Sequence, residues 1–241
     1  MTTKMTSPSG SPTTTTSGMT VEELKASLEQ SNIRGGLVLD IDETLAATNV
    51  AWFERCLHLF GCSKEDTNLN VPQLIDKYHL AQHNPHWNGN PDATQWMHEQ
   101  REAPEAQDNL PLIPGAVQGV QQLLASNNVN IVGYLTVRPQ KVNANTRQWL
   151  QESGFPADLP IVAKPDPVPF EQGNQWKAQA LHQLWPQVHA IVDDNPKVPT
   201  FCGTDYPGTI YLFGRDQVEP AYQWAIPCKT WEDVVTTVRA K

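Results

Sequence analysis

The sequence predicts an α/β fold, a parallel sheet with helices on both faces that is interrupted by a small, mainly helical insertion. Three observations carry this. Short runs rich in Val, Ile and Leu recur along the chain, as in strands buried on both faces. Segments with helical apolar spacing alternate with them, the pattern of a parallel sheet with helical crossovers. One long polar block, 46–110, follows the first predicted strand directly and breaks the alternation.

Each element has its own local reason. "VEELKASLEQSN" (21–32) places Val21, Leu24 and Leu28 on one helical face. "GGLVLDI" (35–41) is an apolar run opened by glycines and reads as a buried strand. "NVAWFERCLHLFG" (49–61) reads as a helix closed by Gly61. The polar block beyond it is rich in Trp, His, Asn and Pro and carries two weaker helical patterns, near 71–80 and 92–101. In "PLIPGAVQGVQQLLASNN" (111–128), Pro114 suits a first helical turn, and Val117, Val120, Leu123 and Leu124 form an apolar stripe. "VNIVGYLT" (129–136) predicts a strand, and "PQKVNANTRQWLQESG" (139–154) a helix opened by Pro139 and stopped by Gly154. A strand follows at 159–163, then a helix over 174–185 with Asn174 as N-cap. Strands at 188–194 and 208–214 and a helix at 231–240 complete the series. The expected organisation is a tail over 1–19, a core formed by 20–45 and 111–241, and a helical cap over 46–110.

Composition narrows the function classes. The chain has 241 residues, 39% of them hydrophobic, enough to bury a substantial core. A formal net charge of −9 disfavours a nucleic-acid backbone or an anionic membrane surface as partner. No apolar run approaches the ~18 residues of a membrane helix. Cys56, Cys62, Cys202 and Cys228 match no zinc or redox spacing and read as reduced thiols, which points to a cytoplasmic protein. The Ser, Thr, Pro and Gly of residues 1–19 lack the apolar centre of a signal peptide and read as a disordered tail. Nothing in the sequence bears on oligomeric state.

Function is concentrated at predicted strand ends. The first strand ends in Asp40 and Asp42, the second in Thr136 followed by Arg138, and the fourth in Asp193 and Asp194. Open α/β sheets bind ligands in the crevice beyond these ends. A buried carboxylate is costly unless it is paired or holds a metal, so positive charge is required there. Lys177 falls near the start of a predicted helix, where the dipole is already positive, and is best understood if anions meet it.

These residues carry a resemblance. "DIDETL" resembles the first motif of the haloacid dehalogenase (HAD) superfamily of phosphatases, "YLTVRP" the second, "WKAQAL" the third and "IVDDNP" the fourth, in the family's order. The resemblance implies a Rossmann-like core with a cap inserted after the first motif. It further implies that Asp40 attacks phosphorus to form an aspartyl-phosphate and that Asp42 protonates the leaving oxygen, then activates water. On the same reading Thr136 binds a phosphoryl oxygen and Lys177 neutralises charge on Asp40 and the transferring group. Asp40, Asp193 and the Asp42 backbone carbonyl would hold Mg²⁺, with Asp194 a ligand or a partner behind it; Asp193 is favoured for direct contact. The two acids need opposite protonation states at the start, one ionised and one protonated. An Asp at position 42 implies phosphomonoester hydrolysis or phosphoryl transfer rather than dehalogenation. The substrate expected under a cap is a small phosphate ester.

Alternatives stay open at this point. A phosphotransferase or mutase would use the same residues, and a phosphoryl-binding regulatory module would keep them without turnover. Arg138 either binds substrate or braces the loop in an ion pair. His79, His83 and His86 could suggest zinc, but Asn84-Pro85 breaks the helix that would align them, so a polar loop is expected. Trp87 and Trp96 read as cap core, and "KPDPVPF" (164–170) as a rigid connection.

Overall fold

The computed structural model describes residues 18–241. In chain order its elements are α1 (Val21–Gln30), β1 (Gly36–Leu39), α2 (Thr48–Phe60), α3 (Val71–Tyr78), α4 (Pro85–Asn88), α5 (Pro91–Glu102), α6 (Ala116–Leu124), β2 (Ile131–Pro139), α7 (Asn143–Glu152), β3 (Ile161–Lys164), α8 (Gly173–Leu184), β4 (Val188–Asp193), α9 (Lys197–Cys202), β5 (Thr209–Phe213), β6 (Ile226–Cys228) and α10 (Trp231–Arg239). All strand pairings are parallel, in the order β3-β2-β1-β4-β5-β6. The predicted α/β sheet is therefore present, with β1 near its middle and the order reversing there.

Both faces of the sheet are covered. Along β1 and β5 the side chains alternate with the two-residue period of a strand. Leu37, Leu39, Tyr211 and Phe213 pack with α6, α7 and α10. Val38, Ile210 and Leu212 pack on the other side with α1, α8 and α9. Burial on both faces is why these strands read as continuous apolar runs. One close approach depends on a glycine. A Cβ on Gly119 of α6 would sit 2.6 Å from the Trp231 ring, so its absence lets α6 and α10 meet. The Trp231 indole N–H donates across this seam to the Thr44 carbonyl at 2.9 Å, inside the loop that follows β1.

Residues 48–107 supply four α-helices and two short 3-10 turns, and they carry a separate apolar cluster around Phe53, Leu74, Trp87 and Met97. Trp87 is fully buried, stands edge-on to Phe53 at 5.3 Å between ring centroids, and donates to the Gly61 carbonyl. Trp96 packs edge-on against Trp52 and Phe60.

Several boundaries differ from the expected ones. The expected tail falls outside the described residues up to position 17. Met19 is not tail: its N–H donates to the Ile161 carbonyl at 3.0 Å and its side chain packs on the α1 side of the sheet. Pro139 ends β2 rather than opening a helix, because it pairs with Lys164 at the end of β3. Gln172, not Asn174, is the N-cap of α8, so Lys177 lies in the second helical turn. Gly115, in the left-handed region, caps α6 after Pro114. Among the described residues no helix is long and apolar enough to cross a membrane.

Candidate active site

The loop after β1 is tightly wound. The Ile41 carbonyl accepts from both Leu45 and Ala46, and the Glu43 N–H donates to the Ala46 carbonyl, which forces Glu43 to a φ of 54°. This turn lifts Asp40 and Asp42 out of the strand. The Asp40 N–H stays tied to Val192 of β4 at 2.9 Å.

Lys177 is the cation that the buried carboxylates require. Its ammonium, 1% exposed, lies 2.8 Å from Asp40 Oδ1 and 2.7 Å from Asp193 Oδ2. Both Asp193 oxygens are engaged, Oδ2 by Lys177 and Oδ1 by the Asn195 N–H at 2.8 Å. Asp40 Oδ1 has the Lys177 ammonium as its one close partner. Asp40, Asp193 and Asp194 can place one oxygen each within 4.8 Å of one another, the one such group of potential ligands among the described residues. The zinc reading of His79, His83 and His86 finds no support; His86 instead contacts the Phe60 carbonyl.

The electrostatics follow from burial and partners. Burial pushes the Asp40 carboxyl up, Lys177 pulls it down, and Asp193 and Asp42 push it up again, to about 7. Asp194 is raised well above the carboxylate range by burial and by the negative charge of Asp193 and Asp40. Burial would lower Lys177, but Asp193 and Asp40 outweigh it and hold the ammonium above its ordinary value.

Asp42 is the exception. Burial alone would raise it, yet the Arg138 guanidinium prevails and its carboxyl lies below the usual range. Arg138 Nη2 donates to Asp42 Oδ1 at 2.7 Å and Nε to Oδ2 at 3.0 Å, a two-pronged contact. The Thr48 hydroxyl donates to the same Oδ1 at 2.6 Å. Arg138 is 4% exposed, and its Nη1 reaches Thr146 Oγ1 at 3.2 Å. Of its two expected roles, the structure contains the ion pair. The two acids are separated as expected, with Asp42 pulled down by Arg138 and Asp40 raised by burial, its one cation being Lys177, which it shares with Asp193.

A cavity of about 380 Å³ opens over this cluster. Asp40, Asp42, Arg138, Lys177 and Asp194 reach it from the sheet side. Thr136 and Asp193 are fully buried and lie behind its wall; the Thr136 hydroxyl accepts from the Arg138 N–H at 3.2 Å. Helices α2 and α5 supply the opposite wall through Trp52, Met97 and Arg101. The proline-rich connection after β3 contributes Pro167 and Phe170. Sequence reasoning assigned Trp52, Arg101 and Phe170 no role, since only the helix packing brings them to the site.

The donor set suits a hard divalent cation: carboxylates only, two of them almost wholly buried, and a single ammonium nearby.

No protein-family model matches the sequence, and no curated protein matches it significantly. Solved structures do. A HAD-superfamily hydrolase, subfamily IA, variant 1, from Geobacter sulfurreducens superimposes with a TM-score of 0.52 at 12% identity, over 85% of this chain and 96% of that one. A dehalogenase gives 0.42 at 14% identity, over 85% and 96%. A candidate beta-phosphoglucomutase from Bacteroides vulgatus gives 0.41 at 12% identity, over 91% and 97%. The chain shares with the first of these, over most of both chains, the α/β fold of a HAD-superfamily hydrolase.

Proposed function

We propose that this protein is a HAD-superfamily phosphatase, a Mg²⁺-dependent hydrolase of small phosphomonoesters that works through an aspartyl-phosphate on Asp40. The observation that carries the reading is Asp40 itself. It stands at the end of a central strand, faces a cavity, and is served by one buried lysine amid carboxylates.

In this mechanism Asp40 attacks phosphorus, and the bond from phosphorus to the ester oxygen breaks as the new bond forms. Lys177 offsets charge on the nucleophile and is itself held by Asp193. Asp42, held ionised by Arg138 and Thr48, is set up to take a proton from the water that hydrolyses the acyl phosphate. To protonate a poor leaving group in the first step, Asp42 would first have to take up a proton against the pull of Arg138, and it would regain that proton from the water in the second. Asp40, Asp193 and Asp194 would hold the Mg²⁺ through one oxygen each, with the Asp42 backbone carbonyl as a further oxygen ligand. Bound there, the ion would supply positive charge to the phosphoryl oxygens and lower the repulsion between the carboxylates. Thr136 supports this arrangement through the Arg138 backbone.

A cavity of this size fits a metabolite rather than a folded protein. The test is phosphate release from aryl phosphates, sugar phosphates, nucleoside monophosphates, phosphopeptides and 3′-phosphorylated oligonucleotides, each with Mg²⁺ and with EDTA. Small esters should turn over only with metal, and Asp40→Asn should lower kcat by about 10³ or more. A near wild-type rate in a normally folded Asp40→Asn variant sinks the mechanism. A tenfold preference for phosphopeptides or oligonucleotides sinks the assignment to small substrates.

A further inference from the structure

Arg101, in the last turn of α5, lines the same cavity from the wall opposite the carboxylates. It differs from Arg138, which is ion-paired with Asp42, from Lys177, ion-paired with Asp40 and Asp193, and from Lys164, whose ammonium is taken up by the Pro165 and Val168 backbone carbonyls. Arg101, half buried, forms no ion pair with any carboxylate of the described residues. Its partners carry no negative charge: Gln82 Oε1, His98 Nδ1 at 3.4 Å, and the face of Phe170, whose ring centroid lies 4.2 Å from the guanidinium carbon. Burial draws its pKa down and the more distant Glu171 only partly restores it, as for a charge that lacks a counterion.

A guanidinium fixed by stacking and by two further contacts, with donors to spare, is preorganised for a planar oxyanion. We infer that Arg101 anchors a second anionic group of the substrate, so that the preferred phosphomonoesters are those of hydroxy carboxylic acids. The anion is a carboxylate rather than a second phosphate because Asp166 also lines the cavity, and Glu102, although paired with Lys141, stands beside Arg101, so that one added negative charge is tolerated better than two. Between the two ends, Trp52 and Met97 offer apolar walls for the carbon skeleton. The inference rests on the phosphatase reading and adds the class of leaving group to it.

The test compares two probes of one size that differ in charge, 4-carboxyphenyl phosphate and 4-carbamoylphenyl phosphate, together with their 3-substituted isomers. A carboxylate bonded to Arg101 should favour the acid over the amide by roughly 10- to 100-fold in kcat/KM, the range of a charge-assisted hydrogen-bonded pair. In Arg101→Gln that ratio should fall at least tenfold, mainly through KM. Arg101→Lys should keep part of it, and both variants should melt as the wild type does. A ratio near one in the wild type, or a ratio unchanged in Arg101→Gln, overturns the role of Arg101 and leaves the phosphatase intact. Failure of the wild type to release phosphate from any of the probes in Mg²⁺ overturns the phosphatase reading and this inference with it.

Discussion

At the scale of single residues, the pairing of Asp42 with Arg138 is the most consequential local feature. An ionised Asp42 can accept a proton from water, and an asparagine cannot. Asp42→Asn should therefore slow hydrolysis of the acyl phosphate by roughly 10²–10⁴. With an aryl phosphate, whose departure needs little acid, the covalent species should accumulate on Asp40. Intact-protein mass spectrometry and peptide mapping would detect one added phosphoryl group there; finding it on a serine or histidine instead rejects Asp40 as nucleophile. The acids and Lys177 were legible in the sequence because their chemistry is forced by place: a carboxylate at a buried strand end demands a cation. Arg101 was not legible. Its surroundings depend on Gln82 and Phe170, distant in sequence, which only packing brings to it, besides His98 one turn back on α5. Which of Asp40 and Asp42 is the ionised one was likewise hidden, since it depends on which cation each meets across the sheet.

At the scale of elements, long periodic segments were readable and short ones were not. β6 has three residues with a proline in the middle, and no periodicity can reveal it; Pro227 is tolerated because β6 is an edge strand with one neighbour. The polar block after β1 gave two weak helices, yet its stability has a polar centre that spacing could not indicate. Asp66 accepts from the Ser63 hydroxyl at 2.8 Å, from Lys77 at 2.7 Å and from the Tyr78 hydroxyl at 2.9 Å, and so pins the loop after α2 to α3. The contacts from Lys77, Ser63 and Tyr78 outweigh burial and hold its pKa below the ordinary value. A depressed acid stabilises the fold above its unfolded pKa, near 3.8, and that contribution is lost as pH falls through the lower folded value. Asp66→Asn should then cost about 1–3 kcal/mol in urea denaturation at pH 7. The gap to wild type should narrow as pH falls below the unfolded value near 3.8. A gap that persists unchanged in acid would show that the charge on Asp66 is not what matters.

At the scale of the whole molecule, the alternation of strands and helices was enough to predict one parallel sheet covered on both faces. It could not predict the order β3-β2-β1-β4-β5-β6, which sets the acid-bearing ends of β1 and β4 side by side. The beginning of the core was also misplaced, because a glycine and a methionine after a Ser/Thr-rich run give no local sign of packing. Removing residues 1–17 should leave the melting temperature unchanged within about a degree, on the composition of that segment. Removing residues 1–20 should lower it by about 2–4 °C, since it deletes the Met19 contacts and the Thr20 capping box of α1. Equal melting temperatures for the two truncations would contradict the packing of Met19. The bond from Trp231 to the Thr44 carbonyl has a consequence in time as well as in space. It spans 187 residues of sequence, so this last tie on the turn that presents Asp40 and Asp42 forms only when α10 has docked against α6. Contacts of such long sequence separation form slowly. During refolding, helical signal should return first and turnover only afterwards, with recovery of activity marking the arrival of α10.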